Sequence, residues 1–322
     1  MKKILLITVL FSGCVIGQSL KQNYNVEQKV NGGAKDIGEY NFVEYSVKSS
    51  DGKELYQIVD KVDYDIPFSK LEVFENGSSL LINAFYGRLT FISDNGTKVK
   101  SSKIRDNLEV EYERSILSVG DKKSVLIIFR GQNKKSSIVQ RYNENGNLEK
   151  EFEIPITNVN GIAFSESLNQ IYLSHIQWEN SGKLNRRVTL LNTSGEVVES
   201  FNANFEKGFF TEDNQFIAFS NKSVLSINTA NLELKFIEKL KEEQIVLDVT
   251  YLEKETLIAF AKSPELENGK WYYKNPTIKR IDSNGNEIKQ LNYEVNPFSE
   301  YKFIMSQNNL EFVIGEEKII ID

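Results

Sequence analysis

The chain has 322 residues, of which 40% are hydrophobic and 26% charged, with 39 Lys and Arg against 45 Asp and Glu and a formal net charge of −6. That balance belongs to a folded globular protein, and its acidic sign argues against a surface built to neutralise nucleic-acid phosphates. One Cys and one His in the whole sequence exclude an intrachain disulfide, a paired-thiol centre and a multi-histidine metal site.

The N-terminus reads as an export signal. Met1-Lys2-Lys3 is a basic start, and Ile4 to Ile16 is mostly apolar but shorter than the roughly 20 residues needed to span a bilayer. Cleavage after Gly17 gives a periplasmic or extracellular protein. Ser12-Gly13-Cys14 also resembles the end of a bacterial lipobox, so lipidation of Cys14 in the cell envelope is the alternative and the only route to membrane attachment. Residues 18–60 read as an N-terminal leader with an extra hairpin around Asp51-Gly52.

From residue 61 to 322 the sequence repeats. The phrase is an apolar strand, an Asp/Asn-rich turn ending in Gly, and a charged amphipathic strand. It appears at Phe91–Gly96, Tyr142–Gly146, Leu191–Gly195 and Ile281–Gly285, with a weaker copy at Ile227–Asn231. Gly or Asn at the end of the phrase is expected to supply the positive φ of a tight hairpin turn. Two strands precede each copy, as in Gly161–Phe164 and Ile171–Leu173. The second is a near-continuous apolar run: Leu80–Ile82, Val125–Phe129, Phe216–Phe219, Leu257–Phe260. Such runs are expected of strands buried on both faces. The charged strand after each turn, as in Leu148-Glu149-Lys150-Glu151-Phe152, suits an outer edge. We label the four strands a to d, from axis to rim.

Units of strands a, b and c starting near residues 71, 112, 161, 208, 246 and 301 predict six four-stranded antiparallel blades. The last unit ends at Ile319–Asp322 without a d strand. Lys61–Pro67 parallels Glu151–Pro155 and is expected to close the ring. The fold expectation is therefore an all-β, six-bladed β-propeller closed by an N-terminal strand, with seven blades as the alternative. On this repeat, residues 61–322 resemble the six-bladed propellers of bacterial envelope and secreted proteins, in the broad TolB-like and NHL-like group. The resemblance implies a fold and leaves the activity open.

Connections d–a and b–c emerge on one face of a propeller. Here the b–c connections differ most, from the minimal Asn221-Lys222-Ser223 to residues 130–136, 175–187 and 262–276. Unequal loops on a rigid scaffold point to the working face. Its candidate ligand- or partner-binding residues are Arg130, His175, Trp178, Trp271, Tyr272 and Tyr273, whose rings could stack on a sugar, peptide or protein. His175 follows an apolar strand and suits a buried structural role. Polar residues entering strands a converge on the axis, and Glu113, Asn160 and Asp248 form the candidate set for Ca²⁺.

No P-loop, dinucleotide glycine pattern, GxSxG, HExxH or CxxC motif is present. The expected function is an exported, non-catalytic binding or protein-interaction module without a cofactor. Its partner would be a protein, peptide or glycan, and nucleic acid is not expected. The alternative is a calcium-dependent hydrolase or lactonase acting at the channel.

Overall fold

The computed structural model describes residues 24–31, 41–50, 52–62, 69–84, 86–104, 116–130, 135–178, 182–262, 265–267, 270–273, 276–292, 301–306, 309–314 and 317–321. Every regular element among them is a strand, so no described helix is long and apolar enough to cross a membrane. The strands form seven consecutive antiparallel blades and one small inserted hairpin.

Blade one holds β1 (Tyr24–Asn31), β2 (Asn41–Ser49) and β3 (Glu54–Val62). Blade two holds β4 (Ser69–Val73), β5 (Ser79–Asn83), β6 (Arg88–Ile92) and β7 (Lys98–Lys103). Blade three holds β8 (Leu117–Asp121), β9 (Ser124–Arg130), β10 (Ser137–Asn143) and β11 (Leu148–Ile154). Blade four holds β12 (Val159–Ser165), β13 (Gln170–Trp178), β14 (Leu184–Leu191) and β15 (Val197–Phe201). Blade five holds β16 (Lys207–Phe210), β17 (Gln215–Phe219), β18 (Ser223–Asn228) and β19 (Leu234–Lys239). In blade six β20 (Gln244–Leu252) and β21 (Glu255–Lys262) are separated in sequence from their partners β24 (Thr277–Ile281) and β25 (Glu287–Asn292). The hairpin of β22 (Glu265–Glu267) and β23 (Lys270–Tyr272) intervenes. Blade seven holds β26 (Tyr301–Ser306), β27 (Asn309–Ile314) and β28 (Glu317–Ile321).

The continuous apolar runs are explained by strands that serve two cores at once. In β9, Val125, Ile127 and Phe129 pack toward blade two, with Leu80, Ile82 and Leu89. Leu126 and Ile128 point the other way and join Phe164, Ile171 and Leu173 of blade four. In β17, Phe216 and Ala218 meet Tyr172 and Leu190, while Ile217 and Phe219 meet Ile258 and Phe260. The outermost strands carry no such double duty, and every residue of β7 is exposed.

The six-bladed expectation is corrected to seven, the stated alternative. Residues expected to be leader and hairpin form a blade of their own. Between β2 and β3 the Ser49 amide donates to the Lys53 carbonyl at 2.9 Å, and Gly52 donates to Ser49 at 2.9 Å. The same pair of bonds closes the turn of blade two, from Ser93 to Thr97 and from Gly96 to Ser93. By this turn β2 and β3 are strands c and d, and β1 is strand b. Their cluster of Val43, Tyr45, Val47, Tyr56 and Ile58 packs on Leu71, Leu81 and Ile92 of blade two. The expected closing strand is corrected with it, because Lys61 and Val62 pair with Phe42 and Asn41 inside blade one. Residues 63–67 lie outside the described residues.

The repeated turn also sets blade against blade. Gly146 has φ 70°, and a Cβ there would lie 2.7 Å from Cβ of Phe91 in the preceding blade. Gly195 has φ 90° and abuts the Phe152 ring of blade three in the same way. Blade five departs from the expectation that Asn231 supplies the positive φ. Its turn is one residue longer, running from Asn228 to Glu233, and Leu232 takes φ 60°.

This geometry separates two effects of alanine. Gly52 has φ 84° with no atom within 4 Å of a built Cβ, so Gly52→Ala is expected to cost about 1 kcal/mol from backbone strain alone. Gly146→Ala adds a clash with Phe91 and is expected to cost about 2–4 kcal/mol. Urea unfolding of both variants checks this, and equal losses would remove the inter-blade contact from the account.

Candidate functional site

The long hairpin of β13 and β14 carries the most developed part of the b–c face. Its register places Trp178 opposite Leu184, Ile176 opposite Arg186, and His175 opposite Arg187. Val188 packs toward blade five, against Phe205 and Phe216. Alternation along the strand puts Arg186, with Ile176 across from it, on that same side.

A cleft of about 470 Å³ opens there, lined by Lys183, Asn185, Arg186, Arg187, Asn202, Ala203, Asn204 and Phe236. It combines the b–c hairpin of blade four, the connection leading into blade five, and the outer strand of blade five. Three of the eight lining residues are cationic and none is acidic. Lys239 Nζ sits 3.8 Å from the centre of the Phe236 ring. The neighbouring carboxylate of Glu238 is turned to Lys279 of blade six at 2.7 Å. The buried Nε of Arg187 has no hydrogen-bond partner among the described residues.

His175 lies behind this cleft, 7% exposed. Its Nε2 is 2.9 Å from Thr189 Oγ1, which is 3.1 Å from Ser200 Oγ. Burial lowers its pKa and the Arg187 charge adds to the effect. A neutral imidazole does not cancel the positive charge beside it. The structural role expected of His175 fits this placement.

The other candidates disperse. Trp178 is 65% exposed at the tip of the same hairpin. Arg130 ends β9, paired with Ser137. Trp271 and Tyr272 stand on β23, opposite Leu266 and Glu265, away from the cleft lining. Tyr273 is half-buried and packs edge-on against Tyr301 at 5.1 Å, with its pKa raised by burial. Glu113 and Cys14 lie outside the described residues.

At the axis, Asn160 is exposed at a register shift in β12. Asp248 follows a similar shift in β20, and its Oδ2 accepts the Phe303 amide of blade seven at 2.7 Å. Among the described residues no group of three His, Cys, Asp or Glu is placed to hold a metal ion.

The sequence points to the loop of residues 175–187, in which Arg186 lies, but singles out none of Arg186, Asn202, Asn204 and Phe236. The signal available was Asn202-Ala-Asn204, in a connection that must cross the same face. No family model matches this sequence, and no curated protein matches it. Solved structures do share its fold. The Dos1 propeller matches with TM-score 0.55 and 13% identity, over 87% of this chain and 74% of that one. The C-terminal WD40 domain of Sif2 matches with TM-score 0.55 and 8% identity, over 92% and 80%. Virginiamycin B lyase from Staphylococcus aureus matches with TM-score 0.52 and 12% identity, over 90% and 96%. At these identities the likeness is one of fold alone.

Asp248 gives a pH signature. Burial raises its pKa from 3.8 to about 6, against the opposing pull of Lys207. A carboxyl with a raised folded pKa holds its proton more tightly in the folded state than in the unfolded chain. Its destabilising contribution is absent below about pH 4, grows as pH rises to about 6, and is constant above. Asp248→Asn is expected to abolish this component. Thermal melts of both proteins from pH 4.5 to 7.5 check it, and a constant gap between them across that range would refute the assignment.

Proposed function

We propose that this chain is an exported, non-catalytic binding or interaction module of the cell envelope, using the b–c face of a seven-bladed propeller. The observation that carries this reading is the cationic cleft between blades four and five. It is open, it is built from loop-face residues on two blades, and His175 behind it is engaged with Thr189. A cleft lined by Arg, Lys, Asn and Phe offers charge and hydrogen bonds. Its described lining brings together no nucleophile and base within reach of each other, which acyl or glycosyl transfer would need. The uneven b–c connections support the same face, with Trp178 exposed at a hairpin tip and an extra hairpin inserted in blade six.

Export rests on the N-terminal signal, with lipidation at Cys14 as its variant form. A calcium-dependent activity at the channel is less well supported, because the Asp248 carboxylate is engaged by the Phe303 amide.

Two measurements test the reading. Mass spectrometry of the mature N-terminus should find Gln18 first, or a lipidated Cys14, and an intact Met1 would overturn export. Capture from envelope fractions by wild type and by a Trp178→Ala/Arg186→Gln variant of unchanged melting temperature should differ, with one or more retained species lost from the variant. Identical captures would remove this face from the proposal.

A further inference from the structure

Resting on the binding-module reading, we infer that the wall and rim of the cleft between blades four and five are a docking site for a protein segment that presents an apolar side chain beside a carboxylate. The wall is the blade-five face of the β13–β14 hairpin. Cross-strand partners share a face, and every second pair returns to it. Ser174 lies opposite Val188, and Ser174 Oγ accepts the Phe205 amide of the connection into blade five at 3.0 Å. The next pairs on that face are Ile176 with Arg186, then Trp178 with Leu184. The face therefore leaves the core at Val188 and passes the half-buried Ile176. About 7 Å beyond Ile176 it ends in two exposed apolar side chains.

Trp178 is 65% exposed and Leu184 38%. Other exposed apolar residues, such as Val99, Leu148 and Ile288, stand singly on outer strands, which is ordinary for a protein surface. Trp178 and Leu184 instead face each other across a raised hairpin and form one apolar surface. Arg186 follows on the same face. Trp and Arg are the residue types that carry most of the energy at protein interfaces.

The charge of the partner follows from two cations without a counter-charge. Arg186 is exposed and lines the cleft. Lys239 Nζ lies 3.8 Å from the centre of the Phe236 ring, which lines the cleft from blade five. Among the described residues neither cation forms an ion pair, and the neighbouring Glu238 is bonded to Lys279 at 2.7 Å. A guanidinium binds a carboxylate through paired N–H donors, and such complementarity orients a docking partner. Asn202 and Asn204 lie in the connection from β15 to β16, and their side-chain amides make no hydrogen bond to a described residue. Each can donate and accept, as a peptide backbone requires. The aliphatic Leu184 beside Trp178 matches an apolar side chain better than a sugar ring. The volume of about 470 Å³ suits one or two side chains of a loop, with Trp178 and Leu184 extending the contact above it.

Selection from a display library of random heptapeptides on the full mature chain tests this. Wild type should enrich peptides with Asp or Glu within two positions of a large apolar residue. One enriched peptide is then made with its acid and with the corresponding amide, and both are titrated by calorimetry. Arg186→Gln should weaken the acidic peptide about tenfold. Exchanging acid for amide should cost about tenfold on wild type and less than about twofold on the Arg186→Gln chain, which marks the two groups as partners. Trp178→Ala should weaken both peptides about tenfold, and higher salt should weaken the acidic one selectively. Both substituted side chains are exposed, so the variants should keep the wild-type melting temperature. No enriched peptide, enrichment without an acid, an acid preference that survives Arg186→Gln, or full binding by Trp178→Ala would overturn the inference. So would binding to a glycan panel with no peptide enriched. A chain that fails here yet still loses envelope captures through its loop-face variants keeps the module reading and loses only this partner.

Discussion

The structure depends on sheets that have no free face. Each central strand alternates its side chains between the blade before and the blade after, so two hydrophobic layers share one strand. Leu81 of β5 packs toward blade one, and its neighbours Leu80 and Ile82 pack toward blade three. Tyr172 of β13 stacks on Phe216 of the next blade at 4.2 Å, while Ile171 and Leu173 beside it face the previous one. Burial of this kind is the dominant favourable term in folding. Here it also forces order, because no blade can complete its core alone and each adjoining pair must pack together.

That constraint gives the two faces of the molecule different freedom. On one face the c–d turns dock against the preceding blade. Tyr56 lies beneath Gly96, Phe91 beneath Gly146 and Phe152 beneath Gly195. A side chain inserted there meets another blade, so length and composition have little room to vary. On the other face the b–c connections differ in length. They range from the tight Ser220–Ser223 turn to the inserted β22–β23 hairpin, and this freedom is what lets the β13–β14 hairpin rise and form one wall of a cleft.

The same division decides what could be read from the sequence. Apolar runs and Gly turns are local patterns with strong physical causes, so the strands and six of the seven blades were legible. Blade one was missed because β1, its strand b, carries Glu27, Gln28 and Lys29 where other blades carry apolar runs. With that strand unrecognised, β3 was assigned to the far end of the chain. The turn of blade five was misplaced by one residue, because Leu232 adopts a positive φ that its type disfavours. The site was half legible. Arg186 falls at the end of the long connection 175–187, which was marked by its length alone. Asn202, Asn204 and Phe236 belong to other segments, and only the packing of blade five on blade four brings them to the same cleft.

The cleft also shows how a fold of this kind can hold charge without a counter-charge. His175 and Arg187 are cross-strand partners, and two cations there would repel. Burial and the Arg187 charge both favour the neutral imidazole, whose Nε2 is hydrogen-bonded to the Thr189 hydroxyl, itself bonded to Ser200 Oγ. The network therefore tolerates the arginine without neutralising it. A carboxylate in place of Thr189 or Ser200 would form a buried ion pair and quench the cleft from behind. The uncharged network leaves Arg187 charged on the His175 face of β14, while Arg186, one residue earlier, faces the cleft.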